Sequence, residues 1–303
     1  MFCGTAAFAV PSLERLLDAG HTIVQCVTQP DRPQGRGLSR EPSPVKQAAL
    51  RLGLPLAQPE RLSAAPVEGL DPDVGVAAAY GQLIRRDVLA LAPHGVLGVH
   101  PSLLPKYRGA APVAWALLNG ETATGVTIFR LNERLDAGDI LLQRRVAVEP
   151  REDAQALTSR LAQAGAQAMV EALEALARGQ ARFEPQDEAQ ASLAPKLTKA
   201  QGRIDWRAPA EAIERLVRAT VPWPGASTLW QDAPMKVWRV AVGADALQGA
   251  SPGTVVGVAQ GAVSVATGRG ALELLEVQPA GRRRMRIAEF LAGHRMTVGE
   301  QLG

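Results

Sequence analysis

The chain of 303 residues carries only two cysteines, Cys3 and Cys26, too few for a disulfide framework or a thiolate metal site. Aromatic residues make up 4%, which excludes the row of stacking platforms used to hold single-stranded nucleic acid. No apolar run approaches the roughly 18 residues that a membrane span needs. The four histidines, His21, His94, His100 and His294, are scattered without ligand spacing, which predicts no metal site. Near the start, Glu14 and Arg15 interrupt the apolar residues and no basic stretch precedes them, which predicts no secretion leader. A composition of 47% hydrophobic and 21% charged residues disfavours disorder and coiled coil. A cytoplasmic, two-domain globular protein is expected, with both cysteines filling core space. The net charge is +3, so any contact with nucleic acid has to come from local basic patches rather than a global field.

What the chain does have is alternation. Residues 22–28 (TIVQCVT), 73–80 (DVGVAAAY), 95–100 (GVLGVH) and 124–131 (TGVTIFRL) read as strands. The first three are almost wholly apolar, as parallel strands covered on both faces are. Between them, residues 11–19, 43–52 and 84–91 place apolar side chains at helical spacing, so βαβ units and a doubly wound α/β sheet are expected. A long helix is predicted over 153–178, followed by a polar stretch without period at 179–202, read as a linker. Beyond it the pattern changes. A helix at 209–220 precedes short β-type runs at 226–230, 235–242, 253–259, 262–266 and 272–277, which predict a small β-barrel, and 287–292 predicts a last short helix. The expected domains are therefore 1–178 and 203–303. At the very start, only three residues precede the turn at Gly4, against the five or six usual for a central strand. That shortness predicts unpaired backbone groups in the neighbouring chain and a native start several residues upstream.

Residues that could carry chemistry concentrate in 95–112, around HPSLLPKYRGAAP. His100 ends a predicted parallel strand, which is where open α/β sheets place their sites. A lone histidine is most often structural, but the strand end and the polar loop that follows, with Lys106, Tyr107 and Arg108, reverse that preference. Residues 135–139 (LDAGD) form a turn between two β-type runs. Taken alone it is a hairpin turn; beside His100, its Asp136 would complete a general acid–base pair. Residues 29–46 (QPDRPQGRGLSREPSPVK) form a proline- and glycine-punctuated loop carrying Arg32, Arg36, Arg40 and Lys46. It is either a solvated loop or a basic finger for phosphates. Near the C-terminus, Arg282, Arg283, Arg284 and Arg286 place four positive charges in five residues, a wet surface by default and a phosphate contact beside a small barrel.

Together these pieces resemble the folate-dependent formyltransferase family over essentially the whole chain. The HxSLLPxxRGxxP and LDxGD blocks are shared across that family, whereas QPDRPxGRG and the C-terminal pieces KLTKAQGRIDW, RATVPWP and QPAG resemble the branch acting on methionyl-tRNA. The resemblance implies a Rossmann-like catalytic domain, an OB-like C-terminal domain that grips tRNA, and a basic loop reaching the acceptor end. It implies transfer of a formyl group from 10-formyltetrahydrofolate to the methionine α-amino group on initiator tRNA; a monomer is expected. His100 and Asp136 take the family's catalytic positions, and Ser102, Leu103, Leu104 and Pro105 those against the folate. One position departs. The family carries an asparagine two residues before the histidine, donating to the developing oxyanion, and here that residue is Gly98. Loss of one such donor costs on the order of 10²–10³ in rate in other systems. The alternatives are an impaired or non-catalytic tRNA-binding paralogue, and a formyltransferase for a nucleotide-linked amine, against which the barrel and basic loop argue.

Overall fold

The computed structural model describes residues 1–34, 39–65, 69–243, 249–259 and 261–303. They form two compact units. One comprises Met1–Pro112, Ala123–Val148 and Thr158–Pro195, the other Val113–Thr122, Glu149–Leu157 and Lys196–Gly303. Among the described residues no helix is long and apolar enough to cross a membrane.

In the first unit, β1 (Phe2–Gly4) and β2 (Cys26–Val27) are followed by a separate antiparallel pair, β3 (Arg32–Gln34) and β4 (Ser39–Glu41). Then come β5 (Leu56–Ala57), β6 (Gly75–Ala78), β7 (Val96–His100), β8 (Ala123–Arg130) and β9 (Ile140–Ala147). Seven strands form one sheet in the order β5-β2-β1-β6-β7-β8-β9. From β5 through β7 the pairing is parallel, and β8 and β9 add antiparallel. Every residue of β6 and β7 is buried, which is what their unbroken apolar runs require. Helices α1 (Val10–Asp18), α2 (Pro44–Arg51) and α3 (Arg86–Leu89) fall between parallel strands; α4 (Pro112–Leu118), after β7, belongs from Val113 on to the second unit, and α5 (Ala154–Ala177), after β9, lies in the first unit from Thr158 on. α1 buries Leu13 and Leu16. Ser43 caps α2, accepting from Lys46 N at 3.0 Å, and its hydroxyl also bonds the Thr28 hydroxyl at 2.7 Å.

Three expectations are corrected. The strand expected over 22–28 pairs only at Cys26–Val27, because β1 and β5 each offer it two partners. The helix expected over 84–91 is the single turn Arg86–Leu89. Beside the short β1, the neighbouring groups are satisfied by Met1 itself. Its nitrogen donates to Val74 O at 3.2 Å and its carbonyl accepts from Val76 N at 2.9 Å. The polar stretch after α5 is also tied down. Glu184 and Ile140 exchange two 2.8 Å backbone bonds, Arg108 N donates to Ser192 O, and Ala194 N donates to Arg108 O.

The second unit holds α6 (Ala210–Ala219) and the strands β10 (Ala226–Trp230), β11 (Ala233–Val242), β12 (Val255–Ala259), β13 (Ala262–Ala266), β14 (Ala271–Pro279) and β15 (Met285–Arg286), ending in α7 (Ile287–Gly293). The sheet is antiparallel throughout, in the order β10-β11-β14-β13-β12 with β15 on β14. Ile213 and Val217 of α6, alternate residues of the strands such as Val263 and Val265, and Phe290 of α7 share one core. Both outer strands are covered. Ile204 N donates to Ser227 O on β10, and Val255 of β12 pairs with the backbone of Gly299 and Glu300. The fold is thus a Rossmann-like α/β unit with a parallel-rich sheet, followed in sequence by a small antiparallel β domain.

Candidate active site

β7 ends in His100, which lies opposite Thr127 of β8. The residue is 6% exposed. The Nε2–H donates to the Tyr107 carbonyl at 2.8 Å, and since a carbonyl only accepts, that bond assigns the proton to Nε2. Nδ1 is left facing Asp136, whose Oδ2 stands 3.7 Å away. This is ion-pair distance rather than a hydrogen bond.

Asp136 sits in the turn between β8 and β9 with φ at +48°, a left-handed conformation that aspartate tolerates better than most residues. Its Oδ2 accepts from Gly109 N at 2.8 Å. Two residues on, a Cβ at Gly138 would lie 1.7 Å from the Arg130 carbonyl, so only glycine lets the turn close this tightly. The LDAGD turn therefore does more than reverse the chain. It aims a carboxylate at the end of β7.

The loop after His100 is held by groups that carry no motif. Ser102 Oγ donates to Lys106 O at 2.6 Å, and Ser102 O accepts from the Thr127 hydroxyl at 2.7 Å. Thr127 Oγ1 in turn accepts from Leu104 N at 3.0 Å, and Gln143 Nε2 donates to Leu104 O at 2.8 Å. Of the four residues expected against a folate, Ser102 and Leu104 are buried with these polar groups engaged inside the loop, and Leu103 and Pro105 are partly exposed. Arg108 is 6% exposed and donates to Glu188 at 3.0 Å, a carboxylate that also accepts from Arg134 at 2.8 Å. The hydrogen bonds from Arg108 hold the Glu188 carboxyl below the usual carboxylate range, with Arg134 adding to the effect. Nothing in the sequence marks Thr127, Gln143 or Glu188. A threonine and a glutamine on strands read as ordinary sheet residues, and the run PQDEAQ has no period to mark it.

Gly98 is the direct cross-strand partner of Phe129. A Cβ at residue 98 would lie 2.4 Å from Leu131 Cδ1 and 2.7 Å from Phe129 Cε1. The Phe129 ring meets the His100 ring edge-on, with centroids 6.5 Å apart. The space beside Gly98 is thus filled by these two side chains, in the way an aromatic covers a glycine on a facing strand.

The expected basic contacts differ among themselves. Arg32 is exposed, whereas Lys46 is ion-paired to Asp31 at 2.5 Å. Arg36 and the side chain of Arg40 lie outside the described residues. In the second unit Arg283 pairs with Glu289 at 2.7 Å, and Arg284 pairs with Glu276 while lying 5.5 Å from the Trp238 ring centre. Arg282 and Arg286 are exposed and, among the described residues, make no side-chain ion pair.

A histidine at a strand end with a carboxylate facing it is an arrangement that can hold and move a proton. The chain belongs to the formyl transferase family: residues 1–173 match the family described as formyl transferase, and residues 196–295 the one described as formyl transferase, C-terminal domain. It is 50% identical to the methionyl-tRNA formyltransferase of Roseiflexus sp. (strain RS-1), over 100% of this chain and 94% of that one. To the methionyl-tRNA formyltransferase of Solibacter usitatus (strain Ellin6076) it is 49% identical, over 100% and 98% of the two chains. Its fold is similar to that of an N-formyltransferase from Helicobacter canadensis in complex with folinic acid and dTDP-3-aminofucose. The TM-score is 0.69 at 15% identity, over 90% of this chain and 97% of that one.

Proposed function

We propose that this protein transfers a formyl group from 10-formyltetrahydrofolate to the α-amino group of methionine carried on initiator tRNA, with His100 and Asp136 as the catalytic pair. The observation that carries this is the placement of those two side chains, Nδ1 to Oδ2 at 3.7 Å, in a chain half identical along its whole length to a methionyl-tRNA formyltransferase. The folate, when bound, supplies the formyl carbon; the amine nitrogen bonds to it, the C–N10 bond breaks, and N10 takes up the proton that the amine gives up, by way of His100.

The protein's own groups have two tasks, removing a proton from the attacking amine and offsetting negative charge on the formyl oxygen. Nδ1 of His100 is free to take a proton, because Nε2 is committed to Tyr107 O. Asp136 faces that nitrogen, so a proton there is offset by the carboxylate, and the protonated ring then offsets the oxygen's charge. The loop 102–108 presents Leu103 and Pro105 as apolar contacts for a pterin ring, and its buried hydrogen bonds keep it from moving when the ring arrives. No side chain projects from Gly98, so that position contributes no donor and the charge on the formyl oxygen is left to His100. The second unit would hold the tRNA through Arg282 and Arg286, with Arg283 and Arg284 available only on exchange of their carboxylate partners.

The test is a formylation assay with charged initiator tRNA and 10-formyltetrahydrofolate. Formylmethionyl-tRNA should accumulate with the native chain and not with His100→Ala. No product from the native chain would favour the tRNA-binding paralogue, and formylation of nucleotide-linked amines alone would favour that acceptor class.

A further inference from the structure

Gln186 lies in the polar strap after α5, remote in sequence from both His100 and Asp136, and is 9% exposed. Its amide is fully used. Nε2 donates to two carbonyls of the catalytic turn, Asp136 O at 2.8 Å and Gly138 O at 2.7 Å. Oε1 accepts two bonds from Arg108, from Nε at 3.0 Å and from one terminal nitrogen at 2.8 Å. Two donors and two lone pairs are all that a primary amide possesses. One side chain therefore fastens the turn that carries Asp136 to the loop that carries Tyr107, Arg108 and Gly109.

Those two segments hold the two halves of the candidate catalytic pair. Tyr107 O fixes the His100 ring through Nε2, and Gly109 N fixes Asp136 through Oδ2. The spacing of imidazole and carboxylate thus depends on where the loop sits against the turn. Asp136 and Tyr107 both hold left-handed backbone, at φ +48° and +63°, which persists only where surrounding contacts enforce it. The strap adds a second grip on the loop, since Ser192 Oγ accepts from Tyr107 N at 2.9 Å.

We infer that Gln186 is a positioning residue for the reaction, acting through Asp136 and resting on the His100–Asp136 reading above. It touches neither reacting atom. Its substitution should lower turnover by letting the carboxylate drift from Nδ1, with substrate binding left as it was.

Gln186→Glu isolates this role. It keeps the side-chain length and the acceptor for Arg108 but has no N–H for Asp136 O and Gly138 O. The expected result is a kcat at least tenfold lower, with KM for tRNA and for the folate changed less than about threefold. In addition, Asp136→Asn should cost much less in the Gln186→Glu background than in the native chain, because the two changes remove one shared arrangement. A merely structural role would lower the melting temperature and active fraction while leaving the cost of Asp136→Asn unchanged, and would overturn the inference. If Gln186→Glu fails to melt cooperatively, Gln186→Met, which brings no new charge beside the turn, is read in the same way. Native turnover by either variant, with Asp136→Asn inactive, sinks the Gln186 role alone. Native turnover by Asp136→Asn sinks the catalytic reading and this inference with it.

Discussion

A residue whose Cβ has no room constrains its neighbours as firmly as one with a large side chain, and Gly98 is such a residue. The ends of the Phe129 and Leu131 side chains occupy the space beside a Cβ at residue 98, so Gly98→Asn requires both to shift. Overpacking of this kind costs about 1–3 kcal/mol. The variant should melt several degrees lower and gain no activity, whereas the same change made in a Phe129→Ala background should cost less stability than it does in the native chain. Restored turnover in the single variant would show that Phe129 yields freely. By contrast His100→Ala and Asp136→Ala should each lower kcat by at least about a hundredfold. Filter binding should find tRNA affinity almost unchanged in both, since neither residue belongs to the basic patches. The cysteines stand at the opposite extreme. Burial pushes the Cys3 and Cys26 thiols up to about 12, so neither forms thiolate near neutrality. A thiol reagent should titrate none in the native protein and two after denaturation.

At the scale of elements, the candidate site is assembled where a parallel strand, an antiparallel addition and a strap converge. β7 supplies the histidine, the β8–β9 turn the carboxylate, and residues 184–194 the bonds that hold both segments. How legible each part was from the sequence follows from its periodicity and its motifs. β6 and β7 announce themselves by unbroken apolar runs, and the HPSLLPKYRGAAP and LDAGD blocks by composition. The strap has neither, because its partners are backbone carbonyls and one guanidinium rather than an apolar face. Elsewhere an element depends on one residue. Ser43 caps α2 and bonds Thr28, so Ser43→Ala removes an N-cap and leaves a buried hydroxyl without its partner. A loss of about 1–2 kcal/mol is expected by chemical denaturation, with an unchanged denaturant slope. An unaffected midpoint would mean that water replaces both bonds.

Charge belongs to the whole molecule. Each phosphate contact contributes about 0.9 to the slope of log affinity against log salt. Neutralising Arg282 and Arg286 together should lower the slope of tRNA binding by nearly two units. Neutralising Arg283 and Arg284 should change it less, because their charges are already met by Glu289 and Glu276. Equal effects from the two pairs would show that those ion pairs open when RNA binds. Acid stability follows from the depressed carboxyls. Arg144 holds Glu171 low, Arg108 holds Glu188 low, and the Trp230 N–H holds Glu300 low. A carboxyl depressed in the folded state leaves the unfolded chain to take up protons first as pH falls. Stability should therefore be level above about pH 5.5 and decline from near the ordinary glutamate value of about 4.3 downward. Thermal melts across that range check the sign, and a rise in stability on acidification would contradict it.

Local pattern was enough to divide this chain into an α/β part and a β part and to mark His100 and Asp136 as candidates, because burial on two faces and tight turns select residue types within a few positions of one another. The family resemblance rested on the same short-range signals. Only the tertiary structure decided that His100 donates its Nε2–H to the Tyr107 carbonyl, that Gly98 is closed by Leu131 and Phe129, and that Gln186 joins the two halves of the pair. Those are contacts between residues 7 to 78 positions apart. Hydrogen bonds across such separations are made by ordinary polar side chains and backbone groups, whose types carry no mark of the partner until the sheet brings them together.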